Sequence, residues 1–367
     1  MNLKKKLSLL LFVIILLGLG ASAQPYSAYV DVRQEFYGFD NGARTKLDHL
    51  RPADYKIGKN AIVFLDNQRI FKLYKNGVVT TISENLFTTQ FQISDNLILF
   101  RSANMISVID GNEVVLLSRL CKDYAMGDSL VMFYDQNRTT FNGYHNGKIT
   151  ELETYLLKGD DFPFKTNVKV SDNICAYINF NDIFKAFYHD EVLTLEDQKV
   201  LDFQVGRNTI AYNDINNQFK IFYKGQTIKI DAFSPKSYQV GDNLVAFVNY
   251  EGIFKIFHEG KLYSIGFYEP QYEVTDFLVA YEALNGFFHV FYEGRDEVLE
   301  NFYPPSLTMQ YKSLVYTNPA NMLRLFSKGT TYNITNQTVT GYRLDYDVLQ
   351  YKVGFNTFKF FADGVNF

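Results

Sequence analysis

The sequence predicts an all-β fold, and three features of the chain support this class. Aromatic residues form 17% of the 367 residues, with 34 phenylalanines and 27 tyrosines, and aromatic side chains favour strands over helices. Hydrophobic residues make up 47% and charged residues 21%, which is globular composition and argues against a disordered chain. The third feature is internal repetition at a fixed period, which decides the architecture.

A short apolar core of the type Phe-Lys-Ile-Phe recurs ten times along the chain. Successive copies are 35 residues apart, except for one spacing of 34 and one of 43. The long spacing places about eight additional residues between 153 and 169. The copies begin at Phe36, Phe71, Ile106, Phe141, Phe184, Phe219, Phe254, Phe288, Leu323 and Phe358. Ten copies on one period identify a tandem-repeat protein.

Each copy contains three or four short strands and leaves no room for a helix. In one copy, Leu244–Val248 is an apolar run that follows the turn residues Asp242 and Asn243, which suit a tight turn because Asx side chains bond their own backbone. Ile253–Phe257 and Lys261–Ile265 form two further strands, separated by the Glu-Gly turn signal at 259–260. A short strand at 238–240 fits before the turn.

The burial pattern of these strands favours a β-propeller. Leu244–Val248 is apolar on both faces, so its sheet is covered on both sides, and without helices the cover must be other sheets. We therefore expect residues 24–367 to form a β-propeller of ten repeats of about 35 residues, as one closed ring of about eight to ten blades. Two smaller rings and a β-solenoid are the alternatives. The first copy lacks its first strand and the last copy ends at Phe367 in what should be its third strand. Both keep the two central strands, so closure by a simple strand exchange would be imperfect.

The repeat also resembles a known family. The segments 241–247 (Gly-Asp-Asn-Leu-Val-Ala-Phe) and 254–260 (Phe-Lys-Ile-Phe-His-Glu-Gly) resemble the WD40-like repeat of TolB-type propellers, although this chain has Asp-Asn where that family has Asp-Gly. The resemblance implies a propeller fold and protein partners in the cell envelope.

The first residues are typical of a secretory signal peptide. Three lysines at 4–6 precede the apolar run Leu7–Leu17, and Ala-Ser-Ala at 21–23 is a small-x-small cleavage site. We expect cleavage between Ala23 and Gln24, and a location outside the cell or in a bacterial periplasm. No later segment is apolar enough to span a bilayer.

Charge and cysteine content narrow the partners. Without the signal segment the chain has 33 basic and 40 acidic residues, a net charge of −7, which argues against nucleic acid or an anionic membrane. A protein or a glycan is the expected partner, and we expect no cofactor and no metal ion.

An oxidising compartment permits a disulfide between Cys121 and Cys175. The apolar residues around Cys175 favour a buried thiol at that position. The oligomeric state stays open.

Motifs for catalysis are not found in the sequence. It contains no G-x-S-x-G elbow, no H-E-x-x-H helix and no phosphate-binding glycine loop. A carboxylate recurs before the apolar strand, at Asp95, Asp128, Asp172, Asp242 and Asp276. Because an active site needs one acid rather than one per repeat, we assign this column to turn formation.

Two groups of residues are candidates for ligand binding. A basic side chain occupies the second core position in six copies, at Lys72, Lys185, Lys220, Lys255, Arg324 and Lys359, and His289 joins this column. Either each cation snorkels to solvent, or the column forms a positive ring that attracts an anionic ligand or an acidic peptide. Asp160 and Asp161 lie in the one insertion, where a binding loop is expected.

These observations favour a secreted, non-enzymatic propeller that binds a protein or a glycan. One alternative is a carbohydrate-active enzyme, a glycoside hydrolase or lyase with acids at the central channel. Acids from several non-identical blades that meet in one place would favour it. A second alternative is a structural component of an envelope complex, which an exposed apolar patch on one face would favour.

Overall fold

The computed structural model describes residues 26–40, 42–83, 88–154, 163–355 and 357–367. They form ten antiparallel sheets, which we number as blades 1 to 10 in chain order. Each blade is a meander whose strands lie side by side in the order of the sequence. Blade 1 has three strands and every other blade has four.

The strands of blades 1 to 5 have the following bounds: β1 Ser27–Val30, β2 Phe36–Asp40 and β3 Ala43–Asp48; β4 Asp54–Ile57, β5 Ile62–Leu65, β6 Phe71–Lys75 and β7 Val78–Ser83; β8 Thr88–Ile93, β9 Leu97–Ser102, β10 Met105–Asp110 and β11 Glu113–Ser118; β12 Cys121–Met126, β13 Leu130–Asp135, β14 Thr140–His145 and β15 Lys148–Thr154; β16 Val168–Val170, β17 Ile174–Ile178, β18 Phe184–Tyr188 and β19 Glu191–Glu196. Helix α1, Phe164–Asn167, precedes β16 within the insertion.

Blades 6 to 10 contain the remaining strands: β20 Asp202–Val205, β21 Thr209–Asn213, β22 Phe219–Tyr223 and β23 Gln226–Asp231; β24 Ser237–Val240, β25 Leu244–Val248, β26 Ile253–His258 and β27 Lys261–Phe267; β28 Tyr272–Val274, β29 Leu278–Glu282, β30 Phe288–Tyr292 and β31 Arg295–Glu300; β32 Leu307–Gln310, β33 Ser313–Thr317, β34 Leu323–Ser327 and β35 Thr330–Thr335; β36 Val339–Asp345, β37 Val348–Val353, β38 Thr357–Ala362 and β39 Val365–Asn366.

We call the four strands of a blade A to D in chain order. Strands A of neighbouring blades contact one another, as β20 does β24 and β24 does β28, so strand A is nearest the ring axis and strand D is outermost. Because the strands alternate in direction, A–B and C–D turns lie on one face of the ring. The B–C turns and the D-to-A connections lie on the other face, which we call the B–C face.

The hydrophobic core consists of ten separate layers, each between two successive blades. Between blades 7 and 8, for example, Leu244 and Ile256 pack against Tyr281. Equivalent layers join every other pair of successive blades, including blade 10 to blade 1. A sheet with a neighbour on each side buries both faces, which explains the apolar runs in strand B. The ring is closed, and the prediction of a single propeller ring is confirmed.

Side-chain packing joins blade 10 to blade 1. The rings of Phe39 and Phe360 stack with centroids 4.2 Å apart, and those of Tyr29 and Phe358 are 4.7 Å apart. Arg343 donates to the carbonyl of Ala28 and to the hydroxyl of another blade's tyrosine. In the described residues, blade 1 has no strand A and blade 10 completes its own sheet with β39, so no strand is exchanged between them, as expected.

Several predictions fall on residues that the structure does not describe. The cleavage site at Ala23 and Gln24 and the insertion residues Asp160 and Asp161 lie outside the described ranges. In the ranges that are described, no helix has the length and hydropathy needed to cross a membrane. Cys121 and Cys175 are buried free thiols in neighbouring core layers, and burial raises the pKa of both.

Candidate functional site

The basic column on strand C lies between blades, where four of its members meet carboxylates. Lys220 Nζ is 2.7 Å from Glu196 of blade 5 and 2.9 Å from Asp214 of its own blade. Lys72 is bound in the same way by Asp48 at 3.5 Å and Asp66 at 2.7 Å. Burial is the largest single influence on the pKa of Asp66 and on that of Asp214, and it raises both. The hydrogen bonds and charge of these lysines, together with backbone N–H groups, outweigh it, so both pKa values are lowered.

The acidic partner from the preceding blade always occupies the same position on strand D. At this position the residue pairs across the sheet with the first core residue of strand C, as Glu196 does with Phe184. Lys185 pairs there with Glu153 at 2.6 Å, and Arg324 lies 3.7 Å from Glu300. Where Ser107 or Asn142 replaces the cation, the preceding blade also lacks the acid. The strand D position of that blade holds Ser83 before Ser107 and Ser118 before Asn142.

Two members of the column have no ion-pair partner in the described part of the chain, namely Lys255 and Lys359. The strand D position of the preceding blade holds Thr335 in the case of Lys359. In the case of Lys255 it holds Asp231, which forms no ion pair in the described residues. His289 contacts Asp296, which is in its own blade, at 3.0 Å. The column is therefore largely neutralised between blades. Its predicted role in binding an anionic ligand stays a prediction, and the same is true of Asp160 and Asp161.

A second cluster forms at the ring axis, where the A–B turns of nine blades converge. The residue at the tip of each turn is Lys59, Asp95, Asp128, Asp172, Arg207, Asp242, Asp276, Tyr311 or Tyr346, and we call this set the hub. Arg207 Nη1 lies 3.1 Å from Asp128 Oδ2 and 3.2 Å from Asp172 Oδ2. Lys59 Nζ lies 3.0 Å from the Tyr311 hydroxyl. The hub thus joins blades that are distant in sequence.

The close approach of neighbouring turns explains the glycines that precede the hub residues. A Cβ atom at Gly127 would lie 1.9 Å from the Ser171 carbonyl oxygen, and one at Gly206 would lie 2.1 Å from that of Gly241. Hydrogen bonds also pass from turn to turn, such as that from Asn208 Nδ2 to Asp242 Oδ1 at 2.7 Å. Any larger side chain would separate the turns.

Three carboxyl groups of the hub, those of Asp128, Asp172 and Asp276, hold protons more tightly than free aspartate does. Burial, followed by repulsion from Asp172 and Asp95, raises the pKa of Asp128 to about 7. Burial and the charge of Asp276 raise the pKa of Asp172 to about 7. Burial likewise raises the pKa of Asp276 to about 6, although Arg207 opposes this. These groups share protons near neutral pH.

The sequence predicts turn formation for these aspartates, and the structure adds a role at the ring axis. The turns are present where expected, with Asn243 in the left-handed region at φ 53°. However, the carboxylates of Asp128 and Asp172 point to Arg207 rather than to their own backbone. The reason is that strand A is innermost, so all tips face one another. A carboxyl pair with a pKa near 7 is suited to proton transfer. Arg207, however, lies within ion-pair distance of both carboxyl groups, which favours a fixed structural arrangement.

A third feature is an arc of exposed apolar side chains on the B–C face of blades 5 to 8. It comprises residues of B–C turns and D-to-A connections with the following exposed fractions: Phe180 42%, Leu201 52%, Ile215 43%, Phe233 57%, Tyr250 63%, Phe267 75% and Leu284 79%. We call this set the apolar arc. Because packed sheets are about 10 Å apart, four blades span roughly 30 Å. Such a patch on a soluble domain marks an interaction surface.

Contacts between neighbouring loops connect parts of the arc. The rings of Phe233 and Tyr250 are 5.3 Å apart, and Ser234 donates to the carbonyl of Asn217. Lys236 pairs with Glu269 of the next connection. At its end, Phe267 and Leu284 line a cavity of about 520 Å³ between blades 7 and 8. Gly266 also lines this cavity, at the position where five other blades have a carboxylate.

The fold defines the protein as a β-propeller with ten blades. Comparison with protein families agrees, because the model of the ten-bladed β-propeller domain matches residues 20–367. The chain belongs to this family. No curated protein sequence matches the chain.

Several solved structures are similar to this one. The computationally designed Ika8 protein has 17% identity and a TM-score of 0.33, with 75% of this chain and 96% of that chain covered. Hsv2p of Kluyveromyces lactis has 14% identity and a TM-score of 0.32, with 75% and 92% covered. The CRINKLY WD40 ectodomain of the Arabidopsis thaliana receptor kinase ACR4 has 9% identity and a TM-score of 0.31, with 66% and 93% covered.

Proposed function

We propose that this protein is a non-enzymatic binding propeller that holds a partner protein on its B–C face, with the apolar arc as the contact surface. The observation that carries the proposal is the run of seven exposed apolar residues over four consecutive blades. It combines four aromatic and three aliphatic side chains, which suits the apolar centre of a protein interface. The cavity beside Phe267 and Leu284 would receive one large side chain of the partner.

The signal-like first residues and the net charge of −7 after their removal support a location outside the cell or in a bacterial periplasm. The propeller would act there as a scaffold component, in line with the resemblance to TolB-type repeats. A protein partner is favoured over a glycan because Leu201, Ile215 and Leu284 add aliphatic surface that sugar rings do not need.

Affinity capture with arc variants tests this function. The tagged, processed protein is compared with a Phe233→Asp/Leu284→Asp variant and with Phe355→Asp, all in the native extract. Phe355 is a matched control because it is 87% exposed on the B–C turn of blade 10, outside the arc. A photoreactive residue at Tyr250 then shows whether the captured protein touches the arc.

We expect the wild-type protein and the Phe355→Asp control to retain one protein in stoichiometric amount, cross-linked through position 250. The double arc variant should lose it by at least about tenfold, because burying two unpaired carboxylates costs several kcal/mol. Retention by the arc variant, or specific binding of a glycan alone, would exclude the proposal.

A further inference from the structure

The interface between blades 3 and 4 contains a cavity at the position where five other interfaces hold a lysine. Its volume is about 320 Å³, and its lining includes Ser118, Asp135 and Asn142. These three residues occupy the positions of Glu196, Asp214 and Lys220 between blades 5 and 6. The lysine and its outer carboxylate are thus replaced by the shorter Asn142 and Ser118, which leaves their space open.

The inner carboxylate of this arrangement is nevertheless present. Asp135 is 7% exposed, and its Oδ1 accepts from the backbone N–H groups of Asn137 and Arg138 at 2.9 and 3.2 Å, as Asp214 Oδ1 does in its own turn. In blade 6 the other oxygen binds an ammonium group 2.9 Å away. Across the described residues, Asp135 has no such cation.

The side chain that replaces the lysine does not compensate for it. Asn142 is 5% exposed, and its amide donates to the carbonyl and the hydroxyl of Thr140. Its amide hydrogens therefore go to Thr140 and not to Asp135. A buried carboxylate without a cation is unfavourable, so the cavity favours a ligand that brings a positive charge.

Two exposed arginines are also part of the cavity lining. Arg119 and Arg138 also line it, are exposed and form no ion pair in the described residues. Guanidinium groups bind carboxylates in bidentate geometry, whereas they would repel a ligand that carries only positive charge. The cavity therefore combines a buried site for an ammonium group with an outer site for an anion.

We propose that this cavity binds a small zwitterionic ligand whose primary ammonium group takes the position of the missing lysine at Asp135 and whose carboxylate meets Arg119 and Arg138. This site is separate from the apolar arc, which lies on blades 5 to 8, and does not depend on the function proposed for that surface.

Calorimetric titration of the processed full-length protein with four probes tests the proposal. The probes are Nα-acetyl-lysine, its Nε-acetylated analogue, n-butylamine and Nα-acetyl-lysine methylamide, which stands for a lysine side chain in a protein. Nα-acetyl-lysine should bind in the millimolar range or better, and the Nε-acetylated analogue at least about tenfold more weakly, because a hydrogen bond between charged groups is lost. The other two probes should also bind more weakly because they lack the carboxylate.

Two variants connect binding to the named groups. Asp135→Asn should weaken Nα-acetyl-lysine binding by about tenfold or more and still fold, because Asn179 accepts the same turn hydrogen bonds in blade 5. Asp31→Asn is the matched control, since Asp31 has this turn role in blade 1. Asn142→Lys should abolish binding by restoring the internal ammonium group.

Absence of binding by all four probes would overturn the proposal, and so would unchanged affinity in Asp135→Asn. Equal affinity for n-butylamine would overturn the role of the arginines. Equal affinity for the methylamide would overturn the proposal that the ligand is a free zwitterion. It would identify a lysine side chain of a protein as the source of the ammonium group.

Discussion

Lys220 and Lys255 occupy the same position in adjacent blades but have different surroundings. Lys220 is held by Glu196 and Asp214, and its side chain is 16% exposed. Lys255 has no ion-pair partner in the described residues. One position in the repeat therefore contains both a cation that joins two blades and one that does not, which offers a direct comparison.

We expect Lys220→Met to destabilise the protein by about 1–3 kcal/mol, because two carboxylates at a blade interface lose their partner. Lys255→Met should change stability by less than about 0.5 kcal/mol. Urea unfolding followed by tyrosine fluorescence measures both variants under the same conditions. Equal losses in the two variants would show that the ion pairs contribute nothing beyond packing of the lysine stem.

The sequence identified the basic column but not its pairing. A usable signal was present, because the residue twelve positions after the first core residue of one copy varies together with the second core residue of the next. Asp48 precedes Lys72 and Glu300 precedes Arg324, whereas Ser118 precedes Asn142. Aligning each copy with its successor, rather than with itself, would have indicated the ion pairs that form and the missing one between blades 3 and 4. It would also have paired Asp231 with Lys255, which form no ion pair in the described residues.

At the scale of the blade, the strands were largely predictable and the closure was predictable only in part. Period, turn residues and two-faced apolar strands define four strands per copy, and β24 to β27 match the expected segments closely. The first and last copies did not complement each other in sequence, which argued against a simple strand exchange, and in the described residues blade 10 completes its own sheet. The particular contacts that replace it, such as Phe39 on Phe360, depend on residues more than 300 positions apart and have no local signal.

The interface between blades 10 and 1 differs from the other nine because no chain connection crosses it. We therefore expect Phe360→Ala to cost about 3–5 kcal/mol, since Phe360 is fully buried, and to open the ring at this interface first. Hydrogen exchange should show early loss of protection in β1–β3 and β36–β39. Ile221→Ala, at the equivalent position of blade 6, is the control.

Loss of protection confined to blade 6 in the control, with the terminal blades unaffected, would fit this picture. If Phe360→Ala instead lowered protection evenly around the ring, the ten interfaces would unfold as one cooperative unit and closure would have no special role.

At the scale of the whole molecule, the hub connects blades that share no core layer. Arg207 of blade 6 reaches Asp128 of blade 4, and Lys59 of blade 2 reaches Tyr311 of blade 9. The sequence showed the aspartate column but could not show convergence, because that follows from ring closure with strand A innermost. The departures from aspartate at Lys59 and Arg207 were the available hint, since they supply the positive charges of an otherwise acidic centre.

The raised pKa values of the hub give the stability of the ring a defined pH dependence. A carboxyl whose pKa is about 7 in the folded state and near 3.8 when unfolded binds more protons when folded between these values. Unfolding free energy then falls as pH rises through this range and is level above it. The hub carboxyls thus make the folded protein more stable at mildly acidic pH. Asp214 has the opposite effect and stabilises the folded protein at neutral pH, because Lys220 lowers its pKa against the effect of burial.

Asp128→Asn separates these contributions. The amide keeps an acceptor for Arg207 and removes one repelling carboxylate, so we expect the variant to be more stable than wild type at about pH 8, by an amount on the order of a few kcal/mol. The difference should shrink toward about pH 5, where wild-type Asp128 is protonated. Asp214→Asn should have the opposite sign at neutral pH, because it removes a carboxylate that Lys220 stabilises. Urea unfolding at a series of pH values measures both, and a pH slope that Asp128→Asn leaves unchanged would show that the protons are taken up elsewhere in the molecule.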